Sequence, residues 1–327
     1  MIEQPTTPPL DLSHLHPAVR QAALLPADQR LAVIRADRWI GYPRASQALA
    51  RLEALLAWPT RQRMPNMLLI GPTNNGKSMI IEKFRRAHPP GHEPDREDIP
   101  VLCLQMPPNP SPPRFYSAIL AALGAPTHTR DRARRPTSGN RSPWTCSKVG
   151  VRALVIDELH NLLAGRSDTR REFLNVLRYL GNQLRIPLVG VGTQEAYLAI
   201  RSDEQLENRF EPFTLPTWQP DDAARSLLAS FAASYPLHRP SRLDTSQMAE
   251  YLLARSEGTI GELAVLRPRP PTLRSPAASS RSPTPPWRWP TTADRPSGVT
   301  CPSGTYDRYP LARTPSSDPP VRRRPRG

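Results

Sequence analysis

The sequence predicts an α/β fold in which a parallel β-sheet is covered by helices on both faces. Four short apolar segments, residues 67–70, 101–106, 153–156 and 186–191, supply the first strands. They alternate with three helical patterns, which cover residues 77–87, 114–123 and 168–184. Short apolar strands separated by helices are typical of parallel sheets that are buried on both sides. A fifth apolar segment near residues 213–215 is expected to complete the sheet.

Helical patterns also flank the predicted sheet. Residues 17–57 precede it and place apolar side chains at helical spacing. The members of this apolar face are Ala48, Leu49, Leu52, Leu55 and Leu56. Residues 221–235 and 245–255 follow the sheet and predict a small helical lid. The lid pattern stops after Ala264, so we expect the lid to be truncated.

The net charge of +15 is concentrated in two segments. Residues 125–147 and 267–327 are rich in Arg, Pro, Ser and Thr and show no strand or helix periodicity. Such a composition cannot bury enough apolar surface to fold alone. Lys77, Lys83 and Lys148 are the only lysines among 44 basic residues, an arginine excess that indicates a GC-rich gene. We hypothesise that both segments are frameshift products; the alternative is a natural disordered basic tail.

The composition divides the chain into four expected parts. They are an N-terminal helical lead-in (1–60), an α/β core (61–219, with the anomalous insert 125–147), an incomplete lid (220–266) and a disordered Pro- and Arg-rich tail (267–327).

No apolar stretch approaches the roughly 18 residues of a membrane span, and the N-terminus lacks the pattern of a secretory signal. We therefore expect a cytoplasmic protein without membrane contact. Cys103, Cys146 and Cys301 lack the spacing of metal ligands, and Cys103 lies inside a predicted strand. We expect three reduced thiols, with Cys103 in the core.

A phosphate-binding motif follows the first predicted strand. Residues 71–78 read G-P-T-N-N-G-K-S and open a helix, which is the context that this motif needs. The loop itself consists of Gly71, Pro72, Thr73, Asn74, Asn75 and Gly76. Backbone N–H groups of such a loop bind phosphates, Lys77 reaches the β- and γ-phosphates, and the Ser78 hydroxyl holds Mg²⁺. The motif predicts ATP and Mg²⁺ as ligands.

Two carboxylates end the third predicted strand, where the sequence reads L-V-I-D-E. Ligands of open α/β sheets bind at the carboxyl ends of the strands. Asp157 is placed to hold Mg²⁺ through water, and Glu158 to polarise the water that attacks the γ-phosphate. The alternatives are a strand end with solvated acids and a small-molecule kinase, and the second acid argues against the kinase.

Two further residues are candidates for the same chemistry. Thr193 ends the run P-L-V-G-V-G-T, where its hydroxyl can orient the attacking water or touch the γ-phosphate; a simple strand-end turn is the alternative. Arg209, in Q-L-E-N-R-F, lies at a helix end before the fifth strand. From there it can reach the phosphates of a neighbouring subunit, although a solvated or ion-paired arginine would look the same.

Five longer strings carry a family resemblance. They are R-W-I-G-Y-P-R-A (38–45), R-M-P-N-M-L-L-I-G-P-T-N-N-G-K-S (63–78), L-V-I-D-E-L-H-N (154–161), V-G-T-Q-E-A (191–196) and F-E-P-F-T-L-P-T-W (210–218). In these strings the sequence resembles TniB, the AAA+ ATPases of transposons and relatives of TnsC and MuB. The resemblance covers about residues 10–124 and 148–264, so both anomalous segments lie outside it.

This resemblance implies an AAA+ P-loop NTPase with five parallel strands and a helical lid. It implies an ATPase that assembles as a homo-oligomer on duplex DNA and recruits or activates a TniA-like transposase, together with accessory transposition proteins.

Roles for individual residues follow from the same resemblance. It implies that Thr193 is the first sensor, that Arg209 acts in trans, and that Ile40 and Tyr42 contact adenine. The lid run G-T-I-G-E-L (258–263) lacks the arginine that many AAA+ proteins carry there as a second sensor.

DNA contacts in related proteins come from loops that line a ring. The candidates at the matching places are Arg114, Arg166, Arg170 and Arg171. Phosphate binding of this kind would weaken steeply with salt. Two other functions stay open from the sequence: a helicase-loader-like ATPase that prefers single strands, and an ATP-binding scaffold without turnover.

Overall fold

The computed structural model describes residues 10–93, 96–108, 111–124, 149–164 and 167–266. Both segments that we interpret as frameshift products, and also Arg166, lie outside these residues.

The strands confirm the predicted parallel sheet. In chain order they are β1 (Asn66–Ile70), β2 (Gly91–Glu93), β3 (Arg96–Asp98), β4 (Val101–Gln105), β5 (Ala153–Asp157), β6 (Leu188–Gly192) and β7 (Phe210–Thr214). Five of them form one sheet in the order β4-β5-β6-β1-β7, and every neighbouring pair is parallel. The strands β2 and β3 form a separate antiparallel pair, which the sequence did not predict.

Helices connect and flank the strands. They are α1 (Pro17–Ala23), α2 (Ala27–Arg35), α3 (Pro43–Leu56), α4 (Lys77–Ala87), α5 (Pro112–Ala122), a 3₁₀ helix (Leu159–Ala164), α6 (Ser167–Leu184), α7 (Gln194–Arg201), α8 (Glu204–Glu207), α9 (Asp222–Ser234), α10 (Ser246–Arg255) and α11 (Ile260–Val265). Among the described helices, none is long and apolar enough to cross a membrane.

The helical segments differ from the prediction in two places. Residues 17–57, predicted only as helical, form three separate helices, because Pro26 and Pro43 favour new helix starts and Ala36 takes up an extended conformation after α2. The lid contains a third short helix, α11, beyond the two that periodicity predicts.

The core lies where the helices α5 and α6 pack on the sheet. All five residues of β1 and of β6 are buried. The rings of Phe115 and Phe173 meet edge to face, with centroids 4.8 Å apart, and join α5 to α6. Where β1 pairs with β6, Leu68 lies beside Gly190. Because Gly190 has no side chain, there is room for the side chains of Leu68 and Leu159.

The strands all end on one side of the sheet, which we call the carboxyl edge. This term does not refer to the outermost strands, β4 and β7, which are the edge strands. At the carboxyl edge, Gly71 N donates to Gly192 O, Met106 N donates to Asp157 O and Leu215 N donates to Ile70 O. These bonds hold together the residues that follow β1, β4, β5, β6 and β7. We call the opposite side, where these strands begin, the amino edge.

We predict that Gly190→Ala destabilises the fold. A Cβ at this position would lie 2.6 Å from Leu159 Cδ2 and 2.8 Å from Leu68 Cδ1, and both leucines are buried. Overpacking of this kind should lower the free energy of unfolding by about 1–3 kcal/mol, measured by chemical denaturation.

Gly181→Ala is the matched control within α6. Its Cβ would make only an ordinary contact, 3.5 Å from Leu188 Cδ1, and alanine is the better helix former. The control should leave stability unchanged or raise it. Equal stability of the Gly190→Ala variant and the wild type would show that the two leucines move aside at no cost.

Candidate nucleotide-binding site

The phosphate loop lies at the carboxyl edge and is held open by backbone conformation. Gly76, the N-cap of α4, has a φ of 82° and Asn74 has a φ of 60°, both in the left-handed region. Consecutive backbone N–H groups in such turns, together with the start of a helix, form a concave anion site. The loop approaches β7 closely at Gly71, since a Cβ there would lie 3.0 Å from Leu215 O.

Lys77 is buried beneath this loop. Its Nζ donates to the carbonyl oxygens of Gly71 (2.8 Å) and Pro72 (2.6 Å). Burial lowers the pKa of the Lys77 ammonium, and the carboxylates of Asp157 and Glu158 oppose that shift. The two acids are therefore close enough to act on the lysine electrostatically.

Ser78 and Asp157 meet beside the phosphate loop. The Ser78 hydroxyl donates to Asp157 Oδ2 at 2.8 Å, and the other carboxylate oxygen accepts from the backbone N–H of Glu158 at 2.8 Å. A Mg²⁺ ion in proteins is commonly bound by one or two carboxylates, water and the phosphates of a substrate. The pair of Ser78 and Asp157 therefore fits a Mg²⁺ that accompanies a nucleotide.

Glu158 is paired with a residue to which the sequence reasoning assigned no role. Glu158 has a φ of 55°, and its Oε2 lies 3.1 Å from Nε2 of His160. The other ring nitrogen of His160 is buried and has no hydrogen-bond partner among the described residues. This histidine fixes the orientation of the Glu158 carboxylate.

Thr193 lies where β6 ends, next to the start of the phosphate loop. Its hydroxyl oxygen is buried and has no hydrogen-bond partner within the described ranges. Buried hydroxyl groups are nearly always satisfied, by protein, water or ligand. The unsatisfied hydroxyl beside the loop is the arrangement expected of a group that binds phosphate or water.

Ile40 and Tyr42 line a cavity of about 340 Å³ next to the loop. The other walls are formed by α2, α4, α9 and α11, and they include Gly76, Met79, Phe231, Tyr235 and Ile260. The Tyr42 ring packs edge-on against Trp218, with centroids 5.1 Å apart, and burial raises the pKa of the Tyr42 phenol to about 12. An apolar cavity beside a phosphate loop has the character that a nucleobase needs.

The lid is bonded directly to the phosphate loop. Gly261 N donates to Asn74 O (2.9 Å), and the Asn74 amide donates to Glu262 Oε1 (2.9 Å). The side-chain amide of the buried Asn75 donates to Leu215 O (3.2 Å) and Pro216 O (2.9 Å). Glu262 thus bonds the lid to the loop from within the run that lacks a second-sensor arginine.

Arg209 is not part of the site of its own chain. It precedes β7 at the amino edge, where Asn66 N donates to its carbonyl, and its Nη1 donates to Asn182 Oδ1 at 2.9 Å. A five-residue strand, roughly 16 Å, separates it from the phosphate loop.

The candidate DNA residues share one region of the carboxyl side. Arg114 lies in the first turn of α5, and Arg170 and Arg171 lie near the start of α6. The ring contact of Phe115 with Phe173 places these helix starts side by side. Three of the four arginines thus lie at neighbouring helix starts, and Arg166 lies outside the described residues.

Cys103 is a correction to the sequence prediction. It is half-buried rather than part of the core, because β4 is an edge strand of the sheet. Together with Ser78, Glu82, Arg85 and Asp157 it lines a cavity of about 330 Å³.

A family model described as bacterial TniB protein matches residues 30–220, more than half of the 327 residues. The chain belongs to the TniB family. The resemblance expected from the sequence motifs is thereby confirmed. Its parallel five-stranded sheet, with a phosphate loop after β1, confirms the predicted P-loop α/β fold. No curated protein matches the chain.

Solved structures show distant likenesses. The ORC2 protein of Aeropyrum pernix, in ADPNP and ADP complexes, is 16% identical with a TM-score of 0.46; the match covers 71% of this chain and 63% of that one. A Walker-type ATPase of Pyrococcus abyssi is 14% identical with a TM-score of 0.47, over 71% and 67% of the two chains. The ORC1 protein of Aeropyrum pernix, in complex with DNA, is 18% identical with a TM-score of 0.40, over 68% and 69%. The chain thus spans less than two thirds of the first of these proteins.

We predict that Gly261→Ala detaches the lid from the phosphate loop. A Cβ at this position would clash with Asn74 Oδ1 and would lie 2.6 Å from Asn74 O. Loss of the hydrogen bonds to the loop should raise amide hydrogen exchange in α11 by roughly tenfold, with little effect on the sheet. Gly41→Ala is the control, since its Cβ would meet only Trp39 Nε1 at 3.6 Å. Unchanged exchange in Gly261→Ala would mean that Asn74 simply turns away.

We predict slow alkylation of Cys103 at neutral pH. Burial raises the pKa of its thiol from 9.0 to about 11, and the positive charge of Arg85 offsets this only in part. Because the thiolate is the reactive form, the alkylation rate of the folded protein should still rise tenfold per pH unit between about 9 and 10. In the urea-unfolded chain the alkylation rate should level off near pH 9, the ordinary pKa of the thiol. Mass spectrometry of the Cys103 peptide measures both alkylation rates. A plateau near pH 9 in the folded protein would contradict the raised pKa.

Proposed function

We propose that this TniB-family protein is an ATP-dependent, DNA-binding ATPase that assembles on target duplex DNA and recruits or activates a transposase. The observation that carries the proposal is the meeting of Ser78 with Asp157 at 2.8 Å, directly beside Glu158 and the buried Lys77. This set combines a metal-binding pair, a candidate general base and a phosphate-binding cation at the carboxyl edge of one sheet.

The phosphate loop supports binding of the nucleotide phosphates. Its N–H groups and the start of α4 attract the β- and γ-phosphates, and Lys77 exchanges its bonds to Gly71 and Pro72 for phosphate oxygens. Ser78 and Asp157 would hold Mg²⁺, which neutralises the negative charge of the phosphates when bound. The cavity lined by Ile40 and Tyr42 suits the adenine ring, which would lie between the segment before α3 and the lid.

Glu158, Thr193 and His160 support hydrolysis rather than binding alone. The Glu158 carboxylate accepts the proton of the attacking water, and the Thr193 hydroxyl orients this water or the γ-phosphate. His160 holds the carboxylate through the 3.1 Å contact between Nε2 and Oε2. Hydrolysis needs a group that accepts the proton of the attacking water, whereas ATP binding alone does not.

The position of Arg209 supports assembly. Since a full strand separates this arginine from the phosphate loop of its own chain, it acts on the γ-phosphate of a neighbouring copy. A contact of Arg209 in one copy with the phosphate loop of the next is heterologous and builds rings or filaments.

DNA binding and transposase recruitment follow from the TniB family and from basic surfaces. Arg114, Arg170 and Arg171 offer one basic region beside the site, and Arg166 belongs to the same stretch of sequence. Sequence-independent contacts to phosphates suit a protein that marks target DNA. A TniA-like transposase and accessory transposition proteins are the proposed partners.

The test is ATP turnover by the full-length protein, with and without duplex DNA. We predict turnover that duplex DNA stimulates. Lys77→Ala should abolish ATP binding. Glu158→Gln should retain binding but lower turnover by about 10²–10⁴-fold, because an amide cannot accept the proton of water. The Glu158→Gln protein should accumulate as an ATP-bound complex on DNA.

Glu195→Gln is the matched control, since Glu195 is an exposed acid in the first turn of α7 at the same edge. It should turn over like the wild type. ATP binding by the wild type without any turnover would leave an ATP-binding scaffold in place of the proposed ATPase, and a strong preference for single-stranded DNA would favour a helicase loader.

A further inference from the structure

Arginines precede three neighbouring strands at the amino edge. Arg152 comes directly before β5, Arg185 comes shortly before β6, and Arg61 and Arg63 lie in the loop that leads into β1. Because β5, β6 and β1 are adjacent in the sheet, these residues lie side by side although they are far apart in sequence. None of them belongs to the phosphate-loop side of the molecule.

Hydrogen bonds between the strand starts hold this row together. Arg152 Nη2 donates to Leu56 O at 2.9 Å, which places it beside the end of α3 and the loop to β1. Leu154 N donates to Pro187 O at 3.1 Å, and Leu188 N donates to the side-chain oxygen of Asn66 at 2.9 Å. Hydrogen bonds thus connect the start of β5 to the start of β6, and the start of β6 to the start of β1.

The four arginines are exposed, and within the described residues none of them has a carboxylate partner. Acidic residues that flank the edge are already engaged. Glu53, near the end of α3, is bonded to His88, and Glu211, in β7, is bonded to Arg51. The row therefore carries positive charge that no ion pair within the described residues offsets.

Arg185 is held in a conformation that disfavours a side chain. Its φ is 52°, at the turn between α6 and β6, where glycine would be less strained. Strained backbone clusters at functional sites, so the conformation makes Arg185 a candidate for function. The turn presents the guanidinium at the surface next to β5 and β1.

The chemistry of the edge favours nucleic acid over a second protein. Protein interfaces have apolar, well-packed centres, whereas surfaces that bind DNA are polar and strongly positive. Around the arginines the exposed residues are mainly polar, such as Gln62 and Gln183, and the exposed aromatic Trp58 is covered by the Arg61 guanidinium at 5.1 Å. Neighbouring strands are about 4.8 Å apart, so the row spans roughly 10 Å, over which a duplex presents several phosphates.

We infer that the amino edge, through Arg61, Arg63, Arg152 and Arg185, binds the phosphate backbone of duplex DNA. This inference rests on the proposed function. It adds a second DNA-binding surface to the protein, on the opposite edge of the sheet from Arg114, Arg170 and Arg171. Arg209, which we propose to face a neighbouring copy, precedes the next strand, β7, and is not part of this row.

The experiment compares three full-length proteins: the wild type, a triple variant and a charge-matched control. The triple variant combines Arg61→Ala, Arg63→Ala and Arg185→Ala, all exposed and all far from the phosphate loop. The control combines Arg35→Ala, Arg239→Ala and Arg242→Ala, which removes the same charge from exposed positions elsewhere. Fluorescence anisotropy of a labelled duplex is measured with ATP present, between about 50 and 200 mM salt.

The triple variant should bind the duplex about tenfold more weakly or worse at low salt. The slope of log K against log salt should become shallower by about three, one for each phosphate that an arginine no longer neutralises. The control should keep the slope of the wild type. ATP affinity, measured without DNA, should be unchanged in all three proteins and shows that the variants are folded. Each single substitution should lower the slope by about one.

Two outcomes would overturn the inference while the proposed function stands. One is a triple variant whose affinity and slope equal those of the wild type, which would place DNA only at other surfaces. The other is a triple variant that loses ATP-dependent self-association without DNA, by light scattering, yet keeps its salt slope; the edge would then contact a second copy. A wild type that binds no duplex at all would refute the DNA part of the proposed function itself.

Discussion

The side-chain amide of Asn75 joins the phosphate loop to the rest of the nucleotide site. Its nitrogen donates to Leu215 O and Pro216 O beyond β7, and its oxygen accepts from the backbone N–H of Ile260 at 3.4 Å. The residue is only 2% exposed, so these bonds form away from water, and losing one leaves a buried polar group unpaired. Loop, edge strand and lid are thereby held in one arrangement, on which the cavity beside Tyr42 and the position of Lys77 depend.

The parallel sheet gives the molecule two edges of different chemistry. Carboxylates, hydroxyl groups and the phosphate loop gather where strands end, while arginines gather where strands begin. In a parallel sheet all strand ends of one kind lie on one side, so residues that follow different strands meet without being close in sequence. One edge is therefore suited to nucleotide phosphates, and the other is rich in arginine.

Much of the fold and the centre of the site could be predicted because their signals are local. The phosphate loop is one continuous string, and Asp157 and Glu158 directly follow an apolar strand. The start of α4 at Lys77 follows from the same string. The hairpin β2–β3 and the helix α11 escaped prediction because they are too short for periodicity to show. Cys103 was misplaced because an apolar segment does not reveal that its strand lies at the edge of the sheet.

The sequence by itself determined the strand, loop and helix at the phosphate site, the residues that carry its chemistry and the TniB resemblance. Only the tertiary structure decided that Glu262 bonds to Asn74, 188 residues away, that Arg209 lies opposite the site of its own chain, and that arginines before three strands form one row. These contacts depend on strand order and lid docking. Both arise from packing across the whole core, which the spacing of residues along the chain does not encode.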